Sequence, residues 1–290
     1  MEGMSRPVVI FDTSALNKLI KGGSSSDPHL AALKCGFDVW LTAMSVDEII
    51  ATPVPETREK LIAGLQGLLT SGRCVWPPHW ILTLLCSAHS QNPSGFDWRR
   101  ISIEAREYEQ AIINGDFDEE LCQRQLTEQR ALEDEFMKFW KKLRTKLDPL
   151  WEKDPKRKRP TKYSQAAKIA RTANPNLLIG IGVGLYKRGA KTATVLSDDI
   201  QAFMKVCPPF EAICYGMLGS WFDVSLAPQV FKKLPGRDDQ MMTVYLPYCG
   251  RFVTDDSRQE KRLREIAVEA KLTCEVMSYE GFFASFNVAA

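Results

Sequence analysis

The most restrictive feature of the sequence is an alternation of short, β-branched apolar runs with segments of helical spacing. Pro7-Val8-Val9-Ile10-Phe11 ends at Asp12, and Ala15 to Ile20 then reads as a helix. A Gly- and Ser-rich loop from Gly22 to Pro28 and a short helix lead to a second strand, Asp38 to Leu41. Ser45 is placed to cap the next helix, with Glu48 in the capping-box position, and Pro53 and Pro55 end it. A helix from Glu56 to Leu69 and a strand near Arg73 to Trp76 follow. The pattern returns near the C-terminus as a helix near Asp239 to Tyr245, a strand Arg251 to Thr254, a helix Ser257 to Lys271 and a strand Thr273 to Met277. Strands separated by helices predict an α/β fold with a parallel sheet.

The middle of the chain differs. Trp98 to Lys146 is charge-dense with apolar spacing that predicts long helices, acidic at first and then basic. Lys153 to Lys162 holds six basic residues beside Asp154, with Pro155 and Pro160 opposing regular structure. Among them Lys156, Arg157, Lys158 and Arg159 are candidate phosphate contacts, although no aromatic residues interleave with them for base stacking. The expected organisation is a catalytic domain formed by residues 1–95 and 164–290, interrupted by a helical insertion with a basic loop at 96–163. A strand-like Ala193 to Leu196 and a helix from about Pro209 to Phe222 lie between the two α/β parts.

Composition bounds the function. The 38 basic and 36 acidic residues give a formal charge of +2, so attraction for phosphates has to be local. Eight cysteines without a Cys-x-x-Cys pair read as reduced core residues, not as a zinc site or a disulfide framework. No run approaches signal-peptide or membrane-spanning length, which predicts a cytoplasmic protein with no membrane partner. His29, His79 and His89 belong to no motif, which argues against histidine-pair ribonuclease chemistry.

Acidic residues recur where strands meet helices: Asp12, Glu48, the Asp255-Asp256 pair, and Asp238-Asp239 on the preceding helix. The carboxyl edge of a parallel sheet is where such folds build sites. Clustered carboxylates without basic partners repel one another unless a hard cation compensates them. Val8-Val9-Ile10-Phe11-Asp12-Thr13-Ser14 resembles the opening motif of PIN-domain nucleases, and Ser45-Val46-Asp47-Glu48-Ile49-Ile50 resembles their helix-borne acidic motif. Gly236-Arg237-Asp238-Asp239, Val244 to Cys249 and Phe252-Val253-Thr254-Asp255-Asp256 resemble the third and fourth motifs of larger bacterial PIN-like proteins. The resemblance covers roughly residues 6 to 75 and 193 to 285.

What the resemblance implies is a PIN-like, flavodoxin-like twisted parallel sheet flanked by helices, with the long helical insertion as an addition. It implies Mg²⁺- or Mn²⁺-dependent hydrolysis of RNA phosphodiesters, in a toxin, a defence factor or an RNA-processing factor. Asp12, Glu48, Asp239 and Asp256 would be the catalytic, metal-binding carboxylates, with Asp255 competing with Asp256 and Asp238 with Asp239. Thr13, Ser14 and Thr254 would be supporting hydroxyls. Beyond the RNA substrate, the resemblance suggests a homodimer and leaves open an inhibitor protein.

Plainer readings stand beside these. Asp12, Asp255 or Asp256 can cap the helices that follow them, Glu48 can close a capping box with Ser45, and Asp238-Asp239 can be a solvated helix start. Ser197-Asp198-Asp199 reads as a helix cap. Gly180-x-Gly182-x-Gly184 lacks the spacing of a nucleotide-binding loop and reads as helix packing. Trp76, Trp80 and Trp98 read as core. A phosphatase using Asp12 as nucleophile usually carries a second Asp two residues on, where Ser14 stands. A catalytically silent PIN-like module that binds RNA or protein is the principal alternative.

Overall fold

A computed structural model of the chain describes residues 6–22, 28–69, 72–152, 160–173, 175–225 and 237–285. The Gly22–Pro28 loop in its central part, and the basic residues Lys156, Arg157, Lys158 and Arg159, lie outside the described residues. Five strands, β1 (Val8–Phe11), β2 (Asp38–Thr42), β3 (Arg73–Val75), β4 (Arg251–Thr254) and β5 (Glu275–Ser278), form one sheet in the order β3-β2-β1-β4-β5. Every pairing is parallel, with Ile10 flanked by Trp40 on one side and Phe252 on the other. This is the predicted α/β architecture with a parallel sheet.

β1 lies between β2 and β4 and sends its side chains into two separate cores. Val9 and Phe11 join Val39, Leu41 and Val253 in one, and Ile10 joins Val75, Phe252 and Val276 in the other. A strand covered on both faces reads as continuous apolar sequence, which is why β1 is visible in the sequence.

On the Val9 side lie α1 (Thr13–Gly22), α2 (Pro28–Gly36), α3 (Ala43–Ile50) and α4 (Pro55–Leu69). The chain then passes through α5 (Pro78–Gln91) on the Ile10 side, α6 (Arg106–Asn114) and the 34-residue α7 (Glu119–Glu152). α8 (Tyr163–Lys168), α9 (Pro175–Gly189), α10 (Ser197–Val206) and α11 (Pro208–Ser225) pack on the Ile10 side with α5. α12 (Arg237–Met241) tightens into a 3₁₀ segment, Met242–Tyr248, before β4; α13 (Ser257–Glu269) and α14 (Tyr279–Ala284) complete the chain.

Several local expectations are corrected. α3 starts earlier than predicted: Thr42, not Ser45, is its N-cap and accepts from the Ser45 amide at 3.1 Å. Glu48 is therefore in the body of the helix and closes no capping box. Trp98 to Glu104 is not part of a long helix. Its start is a 3₁₀ turn, and Trp76 N donates to Ile103 O at 2.9 Å while Ala105 N donates to Cys74 O at 2.8 Å. The segment thereby runs antiparallel beside β3, and the helices begin only at Arg106. Ala193 to Leu196 forms no strand; it has no pairing partner, and Leu196 is 70% exposed. Trp98 is buried as expected, whereas Trp80 is half exposed.

The cysteine reading holds: all eight are free and all but Cys35 are buried. Among the described residues, no helix is long and apolar enough to cross a membrane. The glycine-rich stretch of α9 is a packing feature at one position. A Cβ on Gly182 would lie 2.7 Å from Ile200 Cγ2, whereas Gly180 and Gly184 face open space. Gly182→Ala is expected to lower unfolding stability by about 1–3 kcal/mol, as overpacking does. Gly180→Ala and Gly184→Ala should each raise it by about 0.5–1 kcal/mol through helix propensity. Urea unfolding of the three variants checks the contrast; equal effects would contradict it.

Candidate active site

The run of β1 delivers Asp12 to the tip of the sheet beside β4, and Asp12 N donates to Val253 O at 2.9 Å, extending the strand pairing by one step. β1 is also where the strand order reverses, since β2 and β3 lie on one side and β4 and β5 on the other. Open parallel sheets form a crevice at such a switch point.

Asp12 is only 5% exposed. Its Oδ1 accepts from Ala15 N at 2.8 Å, so it does cap α1, and Ser14 Oγ reaches both carboxylate oxygens at 2.9 Å. Thr254 Oγ1, from the tip of β4, stands 2.7 Å from Asp12 Oδ2. Burial raises the Asp12 pKa above its usual value; the bonds from Ala15, Thr254 and Ser14 oppose this, and the Asp256 charge adds to it.

Thr254 is the hub of the network. Its hydroxyl is also 2.6 Å from Gln259 Oε1 and accepts from Asp256 N at 3.0 Å. One hydroxyl proton thus faces two acceptors, Asp12 and Gln259. Gln259 Nε2 donates to Asp239 Oδ1 at 2.8 Å, which fixes the amide's orientation. Asp256 Oδ1 caps α13 by accepting from Arg258 N at 2.7 Å and Gln259 N at 3.0 Å. Asp12, Asp256 and Asp239 are therefore joined through Thr254 and Gln259. Thr254→Val keeps the shape but removes the hub, leaving Asp12 Oδ2 and Gln259 Oε1 short of a donor. Its expected cost is about 1–3 kcal/mol in urea unfolding, and an unchanged midpoint would contradict the network.

The other predicted residues are placed differently. Asp255 gives its backbone amide to Ser14 Oγ at 2.9 Å, while its carboxylate is drawn into an ion pair with Lys18 at 2.8 Å. Asp256 is thus the member of the pair whose charge bears on Asp12. Asp238 precedes Asp239 on α12, and its side chain lies outside the described residues. Thr13 does not bond to Asp12; with Asn17 and Glu48 it lines an open cleft. Asp198 and Asp199 sit in the first turn of α10, where Leu196 occupies the cap position and makes no side-chain bond. Sequence reasoning missed Gln259, because a glutamine in the first turn of a helix is unremarkable until its partners are known.

Among the described residues, no three acidic, histidine or cysteine side chains stand close enough to hold an ion together. The predicted carboxylates therefore do not form a ready-made cage. The donor set suits a different kind of site: Mg²⁺ keeps much of its water and needs only one or two carboxylates together with substrate oxygens. Asp12 and Asp256 meet that need, and the buried Thr13 Oγ1 and Asn17 Oδ1 beside them have no hydrogen-bond partner.

Asp239 and Gln259 also border a cavity of about 10 Å³, with Gln240, Asp223 and Arg262 around it. Its size is that of about one water, and Gln240 Oε1 and Asp223 Oδ2 are buried there without a partner. Comparison of the chain with protein-family models, curated proteins and solved structures finds no match.

Proposed function

We propose that this chain is a divalent-metal-dependent ribonuclease of PIN-like kind, hydrolysing RNA phosphodiester bonds beside Asp12. The observation that supports the reading is the position of Asp12 and Asp256 on adjacent strand tips at the point where the strand order reverses. Asp12 carries a desolvated charge next to a second carboxylate, an arrangement that a cation relieves. Mg²⁺ or Mn²⁺ bound there supplies an activated water and offsets charge on the phosphoryl oxygens. Ser14, Thr254 and Ala15 N hold Asp12 in one orientation, and Gln259 ties Asp239 to it. Glu48 faces the adjacent cleft from α3, on the side from which a substrate strand can approach.

A second reading has its own support. Asp12 and Asp256 both serve as helix caps, which is a sufficient structural reason for each, and this favours a catalytically silent RNA-binding module. Incubation of the purified chain with labelled single-stranded RNA separates the two readings. Cleavage in Mn²⁺ that stops on adding chelator is the expected result; intact RNA in both conditions would leave the silent module.

A further inference from the structure

Next to Asp12 an open cleft of about 420 Å³ separates α1 and α3 from the long helix α7. Its floor is Thr13, Asn17 and Glu48; its far wall is Leu126, Gln129, Arg130 and Glu133. The wall residues fall at i, i+3, i+4 and i+7, so they form a single helix face turned towards the floor. That face is held in place. At the start of α7, Glu119 is ion-paired with Arg58, whose side chain is 7% exposed, and Cys122 is buried in the same core as α3 and α4. Leu126 follows Cys122 by one turn, so the docked start of α7 fixes where the wall stands.

The chemistry of the lining is divided. Thr13 Oγ1 and Asn17 Oδ1 are buried oxygens without partners at the floor, a condition that costs about 1–3 kcal/mol for each group until a ligand or water meets it. Arg130 is exposed and is the only basic residue of the lining, facing the acidic Glu48 and Glu133. An arginine fork opposite unpaired oxygen groups suits a sugar-phosphate strand: the guanidinium takes a phosphate and the oxygens take ribose hydroxyls.

We propose that this cleft is the groove that seats single-stranded RNA beside Asp12, with Arg130 of the inserted helix meeting a backbone phosphate and Thr13 and Asn17 meeting a ribose 2′-hydroxyl. The location rests on the ribonuclease reading above, but the binding does not depend on cleavage. The inserted helix is then a wall of the substrate site.

The test is binding of a fluorescein-labelled, unstructured RNA oligonucleotide to the full chain, in chelator, by anisotropy across a salt series. Arg130→Ala should weaken binding about tenfold and lower the slope of log affinity against log salt by about 0.7, the amount for one single-strand phosphate contact. Arg130→Glu should weaken it further, and Arg130→Lys should restore most of it. Asn17→Ala should narrow the preference for RNA over DNA of the same sequence. Because Arg130 is exposed, a folding defect does not confuse the result. RNA binding that is absent in the wild type, or unchanged in Arg130→Glu, overturns the proposal. If cleavage occurs while Arg130→Glu binds normally, the groove is wrong and the nuclease reading survives. If nothing is cleaved while Arg130→Glu loses binding, the groove stands and catalysis does not.

Discussion

Asp12→Asn is expected to abolish RNA cleavage and at the same time to raise the melting temperature in metal-free buffer. The two effects share a cause. Burial and the Asp256 charge raise the Asp12 pKa in the folded chain. A carboxylate raised in this way contributes stability that is fully present below its unfolded value and is lost as pH rises through the folded value, so near neutrality the charged Asp12 weakens the fold. The amide of the variant removes that charge and also improves the hydrogen bonding. Its oxygen can still accept from Ala15 N and Ser14 Oγ. Its nitrogen can donate to Thr254 Oγ1, freeing the single Thr254 proton for Gln259 Oε1. Cleavage should fall by at least about 10²-fold, the scale on which loss of one preorganised electrostatic group acts. The gain in melting temperature over wild type should shrink as pH is lowered into the range where Asp12 is protonated. Full cleavage by the variant would remove Asp12 from the mechanism, and lost cleavage with a large fall in melting temperature would leave only the helix cap.

The largest loss of stability is expected from Arg262→Ala. Arg262 forms an ion pair with Asp223 across the small cavity between α11 and α13, and both side chains are largely buried. Its guanidinium also lies 4.9 Å from the centre of the Tyr163 ring and 5.1 Å from that of Phe222. Removing it strands a buried carboxylate, which typically costs about 3–5 kcal/mol. Even with Arg262 present, burial outweighs the ion pair and pushes the Asp223 pKa up to about 6. Asp223 therefore supports the fold most fully at low pH and loses that contribution as pH rises through about 6. The deficit of Arg262→Ala should accordingly be large at pH 7.5 and smaller at pH 5, where the stranded carboxyl is protonated. Urea unfolding at the two pH values reads this directly. A loss below about 1 kcal/mol that ignores pH would show that the pair contributes little.

What the sequence reveals of this fold depends on whether the deciding contacts are local. β1 and β4 are legible because central parallel strands are buried on both faces, and Asp12 and Thr254 then follow from where those runs stop. Ala193 to Leu196 has similar local composition but no neighbour to pair with, a fact set by the rest of the chain. The Trp98 to Glu104 segment looked helical beside charged helices, yet its backbone bonds go to the edge strand β3, far away in sequence. Thr42 and Ser45 are equally good caps by type; the end of β2 decides in favour of Thr42. The choice between Asp255 and Asp256 is likewise invisible until Lys18 is seen to take the first. Gln259 and Arg130 carry no local signature, because each acquires its role only when α13 and α7 dock.

The central claim is that the Asp12 site at the β1 and β4 tips holds a divalent cation. The most direct measurement is electron paramagnetic resonance of free Mn²⁺ titrated into the metal-free chain and into Asp12→Asn. The account predicts saturable uptake by the wild type, displaced by Mg²⁺ and lost in the variant. Equal uptake by the two chains, or no saturable uptake by either, would contradict it.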